Sequence, residues 1–183
     1  LMETDESIPD QPIYYGEDYT SNMTEVPAGE VSSSELIITD EGTITDLEIQ
    51  VNLDHDYHNG LQYVSLTLVS PTGTSVLLGG GTQVGGGWNN SDKGQLYNTL
   101  FDDDASTDIY SGSPPFLGSF QPVGSLSDFD NESIQGTWQL IVYNSIDNND
   151  GGTIQYTLLM ETESIITQNH ISVMNTTAMP SDT

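Results

Sequence analysis

Apolar and polar residues alternate along several short segments of the chain. In residues 47–53, aliphatic side chains occupy every second position, with Glu, Gln and Asn between them. This period of two is typical of a strand that buries one face and exposes the other. Similar alternation recurs in residues 64–69, 138–143 and 154–161, and a short apolar segment lies at 36–38. The pattern predicts a series of short β-strands.

Turn residues separate these segments. Ser70-Pro71-Thr72-Gly73 places Pro and Gly where a tight turn favours them, which predicts a hairpin between 64–69 and the apolar residues 76–78. The Asn-, Asp- and Gly-rich residues 144–152 predict a second hairpin between the two strands that flank them. A further strand is expected at 96–101.

Strands of this kind point to an all-β fold. About seven or eight short strands, with turns every 8–12 residues or so, are typical of sandwiches and jelly rolls. The strong helix formers Ala, Lys and Arg are scarce, and a single helical turn near Leu126–Phe129 is the only helix that we expect. We predict a jelly-roll-like antiparallel β-sandwich of about eight strands.

Three regions are predicted along the chain. Residues 1–30 contain eight acids and three prolines without a sustained period, which indicates an acidic linker or N-terminal arm. Residues 31–163 form the predicted sandwich, and 164–183 are expected to be a C-terminal tail or linker. Because the chain starts at Leu1 and shows no signal peptide, we expect it to be a piece of a longer protein.

The charge balance excludes several classes of partner. The chain has 28 acidic residues and one basic residue, Lys93, giving a formal net charge of −27. Nucleic acid is excluded because nothing can neutralise its phosphates, and no apolar segment reaches the roughly 18 residues needed for membrane insertion. The absence of Cys removes disulfides and thiolate zinc sites. The acids indicate either a solvated surface suited to salty water or Ca²⁺ sites.

Several segments, taken in order, resemble the P domain of subtilisin/kexin-type serine proteases. They are Val51–Tyr57 followed by Gly60-Leu61, then Leu66–Thr74, Leu100–Ala105, Pro115–Pro122, Asn131–Leu140 and Gly151–Ile154. The resemblance extends over residues 30–162. One departure is that the family usually has Gly-Asp-Leu where this chain has Asn59-Gly60-Leu61.

The resemblance implies a role as well as a fold. P domains are jelly-roll-like sandwiches attached to a protease catalytic domain in the same polypeptide, where they support folding, stability or substrate handling, and members often bind calcium. We therefore expect a non-catalytic module of a secreted, extracellular bacterial protease. The expected partners are the protease catalytic domain and, beyond it, a protein substrate or a polysaccharide.

Catalysis by the chain itself is not expected. A serine triad needs a nucleophile, a His base and an acid in contact. Gly73-Thr74-Ser75 resembles the subtilisin nucleophile motif, but it lies at the junction between a turn and a strand, so Ser75 is interpreted as a strand residue. The alternative function is a carbohydrate- or protein-binding module. Trp88, in a Gly-rich loop, is either a sugar platform or, as we favour, a loop anchor, and Trp138 is assigned to the core.

Carboxylate clusters are the candidate calcium ligands. Asp102, Asp103 and Asp104 lie together at a predicted strand end, where a cation would relieve their mutual repulsion. This is the cluster to which the family resemblance adds most weight.

Two further pairs complete the predicted metal residues. Asp147 and Asp150 flank two Asn residues and precede two Gly residues, and Asp54 and Asp56 lie close to the position where the family has its acid. Ordinary turn chemistry is the alternative for the 147–150 pair, because Asp, Asn and Gly are common in turns. His55 is interpreted as part of a hydrogen-bonded turn rather than as a transition-metal ligand.

Overall fold

The computed structural model describes residues 12–57, 59–88, 95–146 and 149–165. Ten strands follow one another in this part of the chain. They are β1 (Pro12–Thr20), β2 (Thr24–Val26), β3 (Val31–Ile38), β4 (Thr43–His55), β5 (Val64–Val69), β6 (Ser75–Gly80), β7 (Gln95–Phe101), β8 (Gly118–Phe120), β9 (Gly136–Asn144) and β10 (Gly152–Ile165). The predicted all-β class is confirmed, and the predicted helical turn is the 3-10 helix Leu126–Phe129.

The strands form two sheets that face each other as a β-sandwich. The large sheet has the order β1-β10-β4-β7-β8, with β2 also paired to β10, and the small sheet has the order β3-β9-β5-β6. All pairs are antiparallel except the short parallel pair of β7 with β8. The segment assigned to a linker or arm contributes β1 and β2, which both pair with β10.

One of the two predicted hairpins is correct. β5 and β6 pair across the turn at Pro71 and Gly73, as the sequence predicts. The second hairpin is wrong, because β9 lies in the small sheet and β10 in the large sheet. Both strands alternate with period two because each buries one face, and this pattern does not reveal whether two strands share a sheet or face each other across the core.

The core lies between the sheets and is filled by the alternating side chains. Ile49 and Val51 of β4 belong to the same buried cluster as Leu140 and Val142 of β9, and all four are fully buried. Each such side chain contributes about 1.5–3 kcal/mol through burial. Tyr156 extends across this core from β10, and its hydroxyl donates to the carbonyl of Trp138 at 3.3 Å. Because the inward side chains of each strand fill the core, the residues between them point outward.

Candidate functional site

Asp103 holds the start of the 3-10 helix Leu126–Phe129. Its Oδ1 accepts the backbone N–H of Leu126 at 3.0 Å, and its Oδ2 accepts the N–H of Ser127 at 3.0 Å and the hydroxyl of Ser125 at 2.6 Å. N–H groups at the start of a helix lack partners within it. Asp103 therefore fastens the connection between β8 and β9 to the loop that follows β7.

The same contacts set the acidity of Asp103. Partial burial acts to raise its pKa, but hydrogen bonds from Ser125, Leu126 and Ser127 outweigh this effect and hold the pKa below its usual range. Both carboxylate oxygens already accept hydrogen bonds. Oδ1 accepts one hydrogen bond and keeps a free lone pair, so the role of Asp103 as a Ca²⁺ ligand stays a prediction.

Asp102 and Asp104 belong to an acidic surface. Oδ1 of Asp102 accepts the backbone N–H of Asp104 at 2.7 Å, which closes a local turn. Their charges act on Asp46 and Glu48 of β4. The pKa values of these two carboxyls are raised, chiefly by partial loss of solvent and further by the charges of Asp102, Asp104 and Glu161. We call these five residues the acidic patch.

A second group of predicted ligands meets at the end of β4. The backbone N–H of Asp56 donates to the carbonyl of Gly151 at 2.8 Å, directly after Asp150. The charges of Asp54, Asp56 and Asp150 all act on His55. The structure therefore brings together acids that belong to two separate segments of the sequence.

Calcium binding stays a prediction at both positions. Over the ranges that the structure describes, no three His, Asp or Glu side chains are grouped so that they could hold a metal ion. Asp147 lies outside the described residues. Oδ1 of Asp54 already accepts the side-chain N–H of Gln95 at 2.7 Å. Of the predicted ligands, Asp54, Asp102 and Asp103 accept hydrogen bonds from other groups of the fold.

His55 is a buried, neutral residue. Only 5% of its surface is exposed, and its Nδ1 accepts the backbone N–H of Tyr57 at 3.0 Å. Burial lowers the pKa of His55, and the nearby Asn144 side chain and three acids oppose this only in part. Nε2 has no hydrogen-bond partner among the described residues. A Cβ atom at Gly60 would lie 2.3 Å from the ring, so the imidazole is tightly held.

Trp88 is a loop anchor and not a sugar platform. The side chain is fully buried, and its indole N–H donates to the carbonyl of Leu61 at 2.9 Å. Its ring packs at 6.2 Å from that of Phe116. The interpretation of Trp88 as an anchor is confirmed, and the alternative that exposed it to ligand is wrong, because the Gly-rich loop folds back over the sandwich.

Two other sequence assignments are also located. Trp138 is fully buried in β9, and its indole N–H donates to the carbonyl of Ile134 at 2.9 Å, so its assignment to the core is confirmed. Ser75 begins β6 and pairs with Val69, whereas His55 ends β4 in the other sheet. Ser75 therefore lies where a strand residue is expected.

Charge is unevenly divided between the two outer faces of the sandwich. The outward positions of the small sheet, called the small-sheet outer face, are Val31, Ser33, Glu35, Ile37, Ser65, Thr67, Val69, Ser75, Leu77, Thr137, Gln139, Ile141 and Tyr143. Glu35 is the one acid among these thirteen positions. The outward positions of β4 and β10 in the large sheet include Asp46, Glu48, Asp54 and Glu161.

One concave feature of the large sheet could not be predicted from the sequence. A groove of about 370 Å³ lies on its outer surface, where β4, β7 and β10 run side by side. Polar residues at alternate strand positions form much of its wall, including Asn52 and Gln155. Such residues also appear on any solvated strand face, so only the neighbouring strands reveal that they line a groove.

Comparison with known proteins identifies the family. The profile of the proprotein convertase P-domain family matches residues 44–160, which is more than half of the chain. No curated protein gives a significant match. The chain is similar to two solved structures at 16% identity. One is the serine protease of Aeromonas sobria, with a TM-score of 0.44 over 80% of this chain and 27% of that chain. The other is the complex of that protease with the chaperone ORF2, with a TM-score of 0.46 over 81% and 27%.

The chain thus spans about a quarter of the length of the proteins in these structures. The family profile begins in β4 and ends in β10, so it includes both sheets of the sandwich. The resemblance noted in the sequence is confirmed, and the chain belongs to the proprotein convertase P-domain family.

Proposed function

We propose that this chain is the non-catalytic accessory module of a secreted subtilisin-like serine protease, and that it stabilises the catalytic domain by packing the small-sheet outer face against it. Family membership supports the association with a protease. The observation that carries the docking surface is the near absence of charge on one face of a protein whose formal net charge is −27.

Large apolar side chains are exposed on this face. The exposed fractions are 70% for Ile37, 64% for Val31, 41% for Tyr143 and 38% for Leu77. The strand register places Val31 directly opposite Tyr143, so these two side chains are neighbours, and Ile37 lies towards the other end of β3. Interface centres are depleted of charge and enriched in apolar and aromatic residues, and exposed apolar patches mark interaction sites.

The single acid on this face has a local partner. The side-chain amide of Gln139 donates to the carboxylate of Glu35 at 3.0 Å across β3 and β9. Glu35 therefore keeps a hydrogen bond when another domain covers this face. The outer face of the large sheet, which carries the acidic patch, would lose solvation of several carboxylates if it were covered.

The experiment uses the parent protease with its catalytic domain attached. Ile37→Glu replaces the most exposed apolar side chain of this face with a charge, and Leu117→Glu is the matched control, because Leu117 is 66% exposed but lies outside the face. We expect Ile37→Glu to lower the melting temperature of the catalytic domain and to shorten the half-life of peptidase activity, while Leu117→Glu leaves both unchanged. Neither substitution should change the melting temperature of the isolated chain.

Two results would contradict the proposal. One is a parent reading frame that encodes no protease. The other is equal behaviour of the Ile37→Glu and Leu117→Glu proteases, which would show that the small-sheet outer face stays in solvent.

A further inference from the structure

The groove on the large sheet is bordered by neutral polar side chains. Asn52 projects from β4, Gln95 and Tyr97 from β7, and Thr153 and Gln155 from β10. Its volume of about 370 Å³ falls within the range of roughly 300–1,000 Å³ that small-molecule sites have. The groove lies on the sheet opposite the proposed docking face, so the two surfaces are separate.

A β-bulge shapes one wall of the groove. Val51 pairs with Thr99 and Leu53 with Leu96, so Asn52 alone lies opposite two residues of β7, Tyr97 and Asn98. The second of these, Asn98, has a positive φ of 49°, which is uncommon for a residue other than Gly. Bulges of this kind bend a strand and redirect side chains, and they are frequent near functional sites.

The bulge is held by a side chain of the groove itself. Oδ1 of Asn52 accepts the backbone N–H of Asn98 at 2.8 Å. The neighbouring Tyr97 is 59% exposed, so its ring is available to a ligand in the groove. The β-bulge opposite Asn52 thus includes both the positive φ of Asn98 and the exposed ring of Tyr97.

Hydrogen bonds within the fold also position the other amides. The side-chain N–H of Gln95 donates to Asp54 at 2.7 Å, and that of Gln155 donates to the carbonyl of Ser21 at 2.9 Å. Each amide carries two donors and one acceptor oxygen. The N–H groups of Asn52 and the oxygens of Gln95 and Gln155 make no hydrogen bond among the described residues, so the groove offers both donors and acceptors.

Charge and topology select the class of ligand. Among the described residues of the groove wall, Asp54 is the only charged one and none is basic, and the whole chain has a formal net charge of −27, so phosphates and carboxylates are disfavoured. The floor consists of β10, β4 and β7, and β4 is paired on both sides. A peptide that binds by adding a strand needs a free sheet edge. β4 does not provide one, and on the β7 side the backbone N–H of Tyr97 already donates to the carbonyl of Pro115 at 3.0 Å.

We infer that the groove binds a neutral oligosaccharide. Sugar hydroxyls are both donors and acceptors and match the fixed amides of Asn52, Gln95 and Gln155. The apolar C–H face of a sugar ring packs against the ring of Tyr97, as aromatic side chains combine an apolar face with a polar end. Met23, which is 67% exposed at the groove, adds further apolar surface.

The inference is tested on the full chain with a panel of soluble glycans. Neutral gluco-, manno-, xylo- and chito-oligosaccharides are titrated by calorimetry, beside uronic-acid oligomers and unstructured peptides. We expect at least one neutral glycan to bind at or below millimolar Kd and the uronic-acid oligomers to bind at least tenfold more weakly. Tyr97→Ala should weaken the binding at least tenfold. Tyr110→Ala is the control, because Tyr110 is also exposed but does not line the groove.

Three outcomes would overturn the inference. They are no binding of any neutral glycan at millimolar concentration, glycan binding that Tyr97→Ala leaves unchanged, and preferential binding of peptides. Gln155→Ala provides a second variant, expected to weaken glycan binding as well, and the melting temperature of each variant separates loss of binding from loss of fold. None of these results depends on whether the small-sheet outer face contacts a protease.

Discussion

Oδ1 of Asp103 accepts the backbone N–H of Leu126 at 3.0 Å across 23 positions of sequence. This bond, with those from Ser125 and Ser127, ties the loop after β7 to the connection that leads into β9. One carboxylate thus secures a segment that has little regular secondary structure of its own.

Asp103→Asn should destabilise the fold by about 1–2 kcal/mol, the usual range for losing a side chain that caps a helix start. Asn has one acceptor oxygen where Asp has two, so one of the backbone N–H groups of Leu126 and Ser127 loses its partner. Urea unfolding measures the difference. Asp104→Asn is the control because Asp104 is exposed, and an equal loss in both variants would contradict the proposed role of Asp103.

Two glutamates should respond in opposite directions to neutralisation. The pKa of Glu132 is lowered, since hydrogen bonds from Ser70, Thr74 and Thr72 outweigh partial burial, so Glu132→Gln should destabilise. The pKa of Glu48 is raised by partial burial and by neighbouring acids, so Glu48→Gln should stabilise, most clearly at low salt. Melting temperatures at neutral pH in low and high NaCl measure both effects.

The same directions give the pH dependence. Glu132 contributes stability above its unfolded pKa of about 4.3, and this contribution is lost as pH falls through the lower folded pKa. For Glu48 the folded pKa is the higher one, so stability falls as pH rises from the unfolded value through the folded value. Unfolding free energies between pH 3 and pH 7 should therefore show a flatter acid limb in Glu132→Gln. A curve unchanged from that of the natural chain would contradict this assignment.

Gly86→Ala should strongly destabilise the loop that Trp88 anchors. A Cβ at Gly86 would lie 1.8 Å from the carbonyl oxygen of Gly80, a separation that the backbone must widen. Gly16→Ala is the control, because no atom lies within 4 Å of its Cβ position. Thermal unfolding followed by Trp fluorescence should show a lower melting temperature for Gly86→Ala alone, and equal values would show that the two segments are free to separate.

Calcium should raise the melting temperature if the family resemblance extends to metal binding. A ligand that binds only the native state adds about 2.7 kcal/mol at a hundredfold excess over its Kd. The chain is unfolded with excess EDTA and then with millimolar Ca²⁺. Loss of the response in Asp56→Asn and Asp150→Asn would assign the ion to the end of β4, and loss in Asp102→Asn would assign it to the other cluster. Stabilisation by NaCl alone would identify the acids as a solvated surface.

Much of the secondary structure could be predicted because the alternation of apolar and polar residues within a strand marks which of its faces is buried. The alternation in residues 47–53 specifies which side chains of β4 are buried, and Pro71 with Gly73 specifies the turn between β5 and β6. Pairing between distant strands could not be predicted. β9 and β10 have the same pattern because each buries one face, although β9 covers the core from the small sheet and β10 covers it from the large sheet.

The sequence by itself determined the all-β class, the family and the burial of Trp138, because these depend on local pattern and on ordered motifs. Only the tertiary structure decided what the polar residues do. It gave Asp103 hydrogen bonds from residues that follow β8, buried Trp88 beneath its loop, and placed Asn52 beside Gln155. Contacts between distant segments arise from the folding of the whole chain, and a carboxylate or amide has the same local signature whether it binds a ligand, caps a helix or faces water.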